Sequence, residues 1–138
     1  MKHTYQNALN LVGRLLIVAL FLPAGLSKIT GFEGSVGYFT SLGMSTPALG
    51  VIIAIIAEVL GGVALLVGFQ TRIVAVLLAI FTLVASIIGH AYWAAPADQA
   101  FVAQLLFFKN IAVIGGLLVL AASGAGKFSI DGLKDKED

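Results

Sequence analysis

The sequence predicts an all-α protein, a transmembrane four-helix bundle, and three observations predict it. The 138 residues are 59% hydrophobic and 11% charged, against about 45–50% and about 25% in soluble domains. The mean hydropathy is +1.05, more than a soluble core can hide, so the expected solvent is lipid. The apolar residues fall into four blocks near the roughly 20 residues that cross a bilayer core about 30 Å thick. None of the four alternates as a barrel strand would.

The first span is expected from Ala8 to Ser27. It is too long, and carries Arg14, to be a cleaved secretory signal, so it reads as a retained helix. The connection that follows is the longest, and Phe32, Val36, Phe39 and Leu42 share one helical face there. A short interfacial or re-entrant helix is expected, with an ordered loop as the alternative. The second span runs from Pro47, a residue suited to a first helical turn, to Gly68. The turn Gly68-Phe69-Gln70-Thr71 is so short that the second and third spans must be antiparallel neighbours. The third runs over 71–92 and the fourth over 100–122, all in a single transmembrane domain over 1–138. Small residues (Ala54, Ala57, Gly61 and the pair Gly115-Gly116) suit close helix approach in a bundle or homo-oligomer.

Basic residues near the span ends set the orientation. Lys2, Arg72, Lys127, Lys134 and Lys136 fall on one side and Lys28 on the other. Both termini are therefore expected in the cytoplasm, with Tyr92-Trp93 in the outer aromatic belt. The absence of cysteine excludes disulfides, thiol relays and iron–sulfur clusters of this chain's own. Zinc or haem is not expected either, because His90 and His3 lie on opposite predicted sides. No basic stripe points to nucleic acid.

Charged groups in hydrocarbon are costly and call for a partner, a wet cavity or a purpose. Arg14, Phe21, Gly25 and Lys28 share one face of the first helix. Lys28 reads either as a residue snorkelling to the interface or as part of a site. Glu58 falls mid-span among small residues, and an ion pair with Arg14 is the simplest account. The alternative is that Glu58 exchanges protons or orients a base. His90 follows Ser86 by one turn and reads as a packing residue or a ligand. Lys109 and Asn110 lie mid-depth in the fourth span. Together these form a candidate binding set (Arg14, Lys28, Glu58, His90, Lys109 and Asn110) with more base than acid. A quinone fits that balance, since its carbonyls accept hydrogen bonds. A lipid phosphate or small oxyanion fits the same charge logic.

These residues also carry a resemblance. Gly13-Arg14, Phe21, Gly25, Lys28 and Gly31-Phe32 are followed by Glu58, Gly68-Phe69-x-Thr71-Arg72 and Gly89-His90-x-Tyr92-Trp93. Lys109-Asn110 and Ser129-Ile130-Asp131-Gly132 complete the series. In this order and spacing, over roughly Leu11 to Asp131, the chain resembles the DoxX family, and especially its short YphA-like members. The resemblance implies a four-helix protein of the bacterial inner membrane, often given an oxidoreductase label. Relatives in that family include the membrane part of a thiosulfate:quinone oxidoreductase, components linked to oxidative stress, and assembly factors. It assigns no role to any of the six candidate residues. The expected function is a quinone-interacting component of a redox or oxidative-stress system, with a partner redox subunit. The alternatives are a non-catalytic scaffold or assembly factor, or a lipid or small-anion transporter acting as an oligomer.

Overall fold

The computed structural model describes residues 2–135. The side chains of Lys2 and His3, and all of Lys136, lie outside the described residues. Within them the chain is helical, with no strand. Helix α1 (Lys2–Thr30) leads through Gly31 into α2 (Phe32–Ser41), the short helix expected in the first connection. Pro47 opens α3 (Pro47–Ile55). A π-helical turn over Ile56–Leu60 joins α3 to α4 (Gly61–Val67), so the three pieces form one long segment. Helix α5 (Thr71–Gly89) and α6 (Ala100–Ser123) follow, separated by a 3₁₀ turn at Tyr92–Ala94, and α7 (Ile130–Asp135) ends the described chain. Four segments are long and apolar enough to cross a membrane: Thr4–Thr30, Pro47–Val67, Thr71–Ala94 and Ala100–Ser123. Leu16, Ile53, Leu77 and Val119, one from each, are exposed on the outside of the bundle, as lipid-facing residues should be.

The bundle is closed at the end carrying both termini. Its apolar core joins Val18 and Phe21 of α1, Leu65 of α4, Ala75, Leu78 and Ala79 of α5, and Leu117 and Leu120 of α6. The core residues of α4, α5 and α6 lie in the halves of their helices nearest that end, and Val18 and Phe21 lie just past the middle of α1. A C-terminal carbonyl end of a helix has four unpaired acceptors and a partial negative charge, and two arginines are spent on such ends. Arg14, 1% exposed, donates to the carbonyls of Leu65 (2.8 Å) and Leu66 (3.2 Å) at the close of α4, and to that of Phe128. Arg72 donates to Ala121 (3.0 Å) and to Ala122 at the close of α6. Asp131 does the converse at the start of α5. Its carboxylate accepts the amides of Gln70 and Thr71, both at 2.9 Å. Gly68, in the left-handed region at φ +70, lets Ser129 approach this turn, where a Cβ would collide with the Ser129 side chain.

Within the bundle, the Gly115-Gly116 pair does not supply a close helix approach. A Cβ at Gly115 would meet nothing within 4 Å, and one at Gly116 only Ile17 at 3.9 Å. The close approaches are at Gly25, Gly61 and Gly62 instead, where a Cβ would come within 3.3 Å of a neighbouring helix.

Candidate functional site

Away from the termini the helices part and enclose a cavity of about 590 Å³. Five of the six predicted residues line it: Lys28, Glu58, His90, Lys109 and Asn110. Arg14 does not, and the expected Arg14–Glu58 ion pair is not formed. Gly25 sits against Glu58 and Val59, which sets the antiparallel register of α1 and the second span. Arg14 precedes Gly25 by 11 residues, about 16 Å of helix at 1.5 Å per residue. It therefore lies level with Leu65 at the other end. The shared helical face was a correct expectation; the shared depth was not.

The partner of Glu58 is Lys28, whose Nζ lies 2.9 Å from both Oε1 and Oε2. Their side chains are 20% and 10% exposed, so the pair is held mostly away from solvent. Two local features bring it together. Gly25 removes the Cβ that would meet Val59 Cγ2 at 2.7 Å and Glu58 Cβ at 2.9 Å. The π turn inserts an extra residue at Glu58, a device that recurs at functional positions. Lys28 is thus an ion-pair residue, and its snorkelling reading is set aside.

On the facing wall, Asn110 Nδ2 donates to Ser86 Oγ at 2.9 Å. Ser86 is fully buried, and its hydroxyl donates to the Thr82 carbonyl at 2.6 Å. Lys109, beside Asn110, is exposed into the opening and forms no ion pair among the described residues. His90 follows the last residue of α5, and its amide donates to the Ser86 carbonyl at 2.9 Å. Tyr92 and Trp93 pack edge-on with Phe107 of α6, with centroids 5.3–5.5 Å apart, and tie the α5–α6 connection down behind the cavity.

Helix α2 supplies a wall the sequence reading did not foresee. Ser35, Tyr38 and Phe39 face the opening, and no residue of α2 is buried. Helical spacing announced the helix, but nothing local announced that it would fold over Lys28 and Glu58. In chemical terms the cavity offers a charge-balanced pair on one wall and an uncompensated ammonium, an imidazole and a carboxamide on the other. Aromatic and aliphatic groups separate them, as in pockets that take small organic ligands. Among the described residues no three His, Cys, Asp or Glu side chains gather as a metal site would require.

Comparison with known proteins agrees with this architecture. The DoxX family model matches residues 9–91, which includes Arg14, Lys28, Glu58 and His90. The chain is 39% identical over 126 residues to inner membrane protein YphA of Escherichia coli, covering 91% of this chain and 90% of that one. It is also 39% identical over 127 residues to inner membrane protein YqjF of the same organism, covering 92% of each. A Bacillus subtilis protein with the word oxidoreductase in its name, CatD, is 43% identical over 75 residues, 54% of either chain. No solved structure matches. With four apolar spans, a family match over most of three of them and near full-length relatives, this multi-pass membrane protein belongs to the DoxX family.

Proposed function

We propose that the protein works in the bacterial inner membrane as a quinone-interacting component of a redox or oxidative-stress system. The observation that carries this reading is Lys109. It is an ammonium without an ionic partner among the described residues, and it faces an otherwise largely apolar cavity. Such a group costs free energy unless an acceptor oxygen meets it. A quinone carbonyl is such an acceptor, attached to a flat ring that the aromatic lining can cover. Lys109 binds that oxygen, and His90, which lines the same cavity, is a second donor for the ligand. Glu58, like the His90 imidazole, is a group in the cavity that can take or return a proton, and Lys28 balances the charge of Glu58. Two kinds of relative support the reading, the inner-membrane proteins of E. coli and the B. subtilis protein named as an oxidoreductase.

Equilibrium titration of the full chain in lipid nanodiscs with decylubiquinone tests this, using quenching of Trp93, the single tryptophan. A hydrogen bond to a charged group contributes about 1.5–3 kcal/mol, so Lys109→Ala should weaken binding roughly ten- to hundredfold. No saturable binding by the unmodified protein, or equal binding by the variant, would overturn the reading. A scaffold or assembly role is the second reading, and it draws on Arg14, Arg72 and Asp131, all of which are spent on helix ends. It predicts full biological activity from the Lys109→Ala protein.

A further inference from the structure

The carboxamide of Asn110 is oriented, and its orientation bears on which form of a ring ligand the cavity accepts. Ser86 has one hydroxyl proton. That proton is spent on the Thr82 carbonyl at 2.6 Å, inside a helix where Ser86 is fully buried. Toward Asn110 the serine can therefore only accept, and it does so from Nδ2 at 2.9 Å. With the amide nitrogen directed at Ser86, the carbonyl oxygen of the same planar group is directed away from it. That oxygen has no hydrogen-bond partner among the described residues, and Asn110 lines the cavity. The cavity lining thus includes an acceptor, Asn110 Oδ1, and a donor, the Lys109 ammonium, from consecutive residues of α6.

One oxygen atom satisfies both only if it carries a hydrogen. A hydroxyl donates to Asn110 and accepts from Lys109, whereas a carbonyl accepts from Lys109 and leaves Asn110 facing a lone pair. Two acceptors held face to face without a proton cost each its hydrogen bond. We propose that the cavity is built for the hydroxylated, reduced form of its ring ligand, a quinol, and binds it in preference to the quinone. The inference rests on the quinone reading above and refines it. Ser86 is here a positioning residue: it touches no ligand and acts through the amide it orients. Because binding and redox state are linked, a tenfold preference for the reduced form raises the potential of the bound two-electron couple by about 30 mV.

The test titrates the full chain in nanodiscs with decylubiquinol and with decylubiquinone, by calorimetry under argon. The readout is the ratio of the two affinities, which a purely structural defect would not change. The unmodified protein should favour the quinol about tenfold. Asn110→Leu, which removes the acceptor, should bring the ratio to within about twofold of unity. Ser86→Ala should reduce the ratio, since the carboxamide is then free to turn. Equal affinities in the unmodified protein, or an undiminished ratio in Asn110→Leu, would overturn the inference while leaving the quinone reading intact. Binding of neither form would overturn both.

Discussion

In a helix the Cα–Cβ bonds tilt toward the N-terminus, so a lysine near the far end of α1 sends its stem back into the bundle. Lys28 follows that rule and reaches Glu58. A lysine that snorkels outward must bend against the tilt. Burying such a pair brings little net stability, because desolvation offsets the Coulomb attraction, but stranding one member is expensive. Lys28→Met should therefore destabilise the protein by about 3–5 kcal/mol, while the double substitution with Glu58→Leu should recover most of that loss. Denaturant unfolding followed by Trp93 emission checks it. A double variant no more stable than the single one would show that the two side chains do more than neutralise each other. Arg14 illustrates the opposite economy, since its charge is met by carbonyl dipoles at a helix end and needs no carboxylate.

At the scale of elements, the second span is an α-helix interrupted by a π turn, and the interruption faces the point where α1 has no side chain. Gly25 is where the two meet. Gly25→Ala would place a methyl 2.7 Å from Val59 Cγ2 and 3.1 Å from the Val59 amide nitrogen, so α1 must move off the turn. Overpacking of this kind costs about 1–3 kcal/mol, and the shift should also loosen the Lys28–Glu58 contact. Gly34→Ala on α2, where a Cβ meets nothing within 4 Å, is the control and should not destabilise. Thermal unfolding of the two variants decides it; equal midpoints would mean that α1 and the turn are not tightly seated. The existence of the long helices was legible because length and apolar continuity are local properties of the chain. The faces of α1 were legible for the same reason, and Arg14, Phe21, Gly25 and Lys28 do point inward together. Depth was not. It depends on the register between α1 and the second span, which is fixed by the contact of Gly25 with Glu58 and Val59 and has no signature in either segment alone. The π turn was equally invisible, because Ile56–Leu60 reads as unbroken helix.

At the scale of the whole molecule, the bundle has one end sealed by core packing and helix-end hydrogen bonds and another that opens around the cavity. Asp131 bridges that seal to the C-terminal segment, holding the amides of Gln70 and Thr71 while its own amide donates to the Gly68 carbonyl at 2.9 Å. Burial alone would raise the pKa of this carboxyl, but the donors from Thr71 and Gln70, with Lys134 nearby, outweigh it and hold it below its ordinary value. A depressed folded-state pKa gives stability that is fully present above the unfolded value of about 3.9. That stability is lost as the pH falls through the lower folded value, where the proton binds and the contacts to the two amides weaken. The unmodified protein should accordingly be more stable than Asp131→Asn at neutral pH, and the difference should shrink to nothing in strong acid. Other carboxyls titrate in the same range, so the informative quantity is the difference between the two proteins across a pH series of thermal unfolding. A difference that stays constant down to strong acid would mean that Asp131 contributes by shape and not by charge, and that the seal has no acid-sensitive link there.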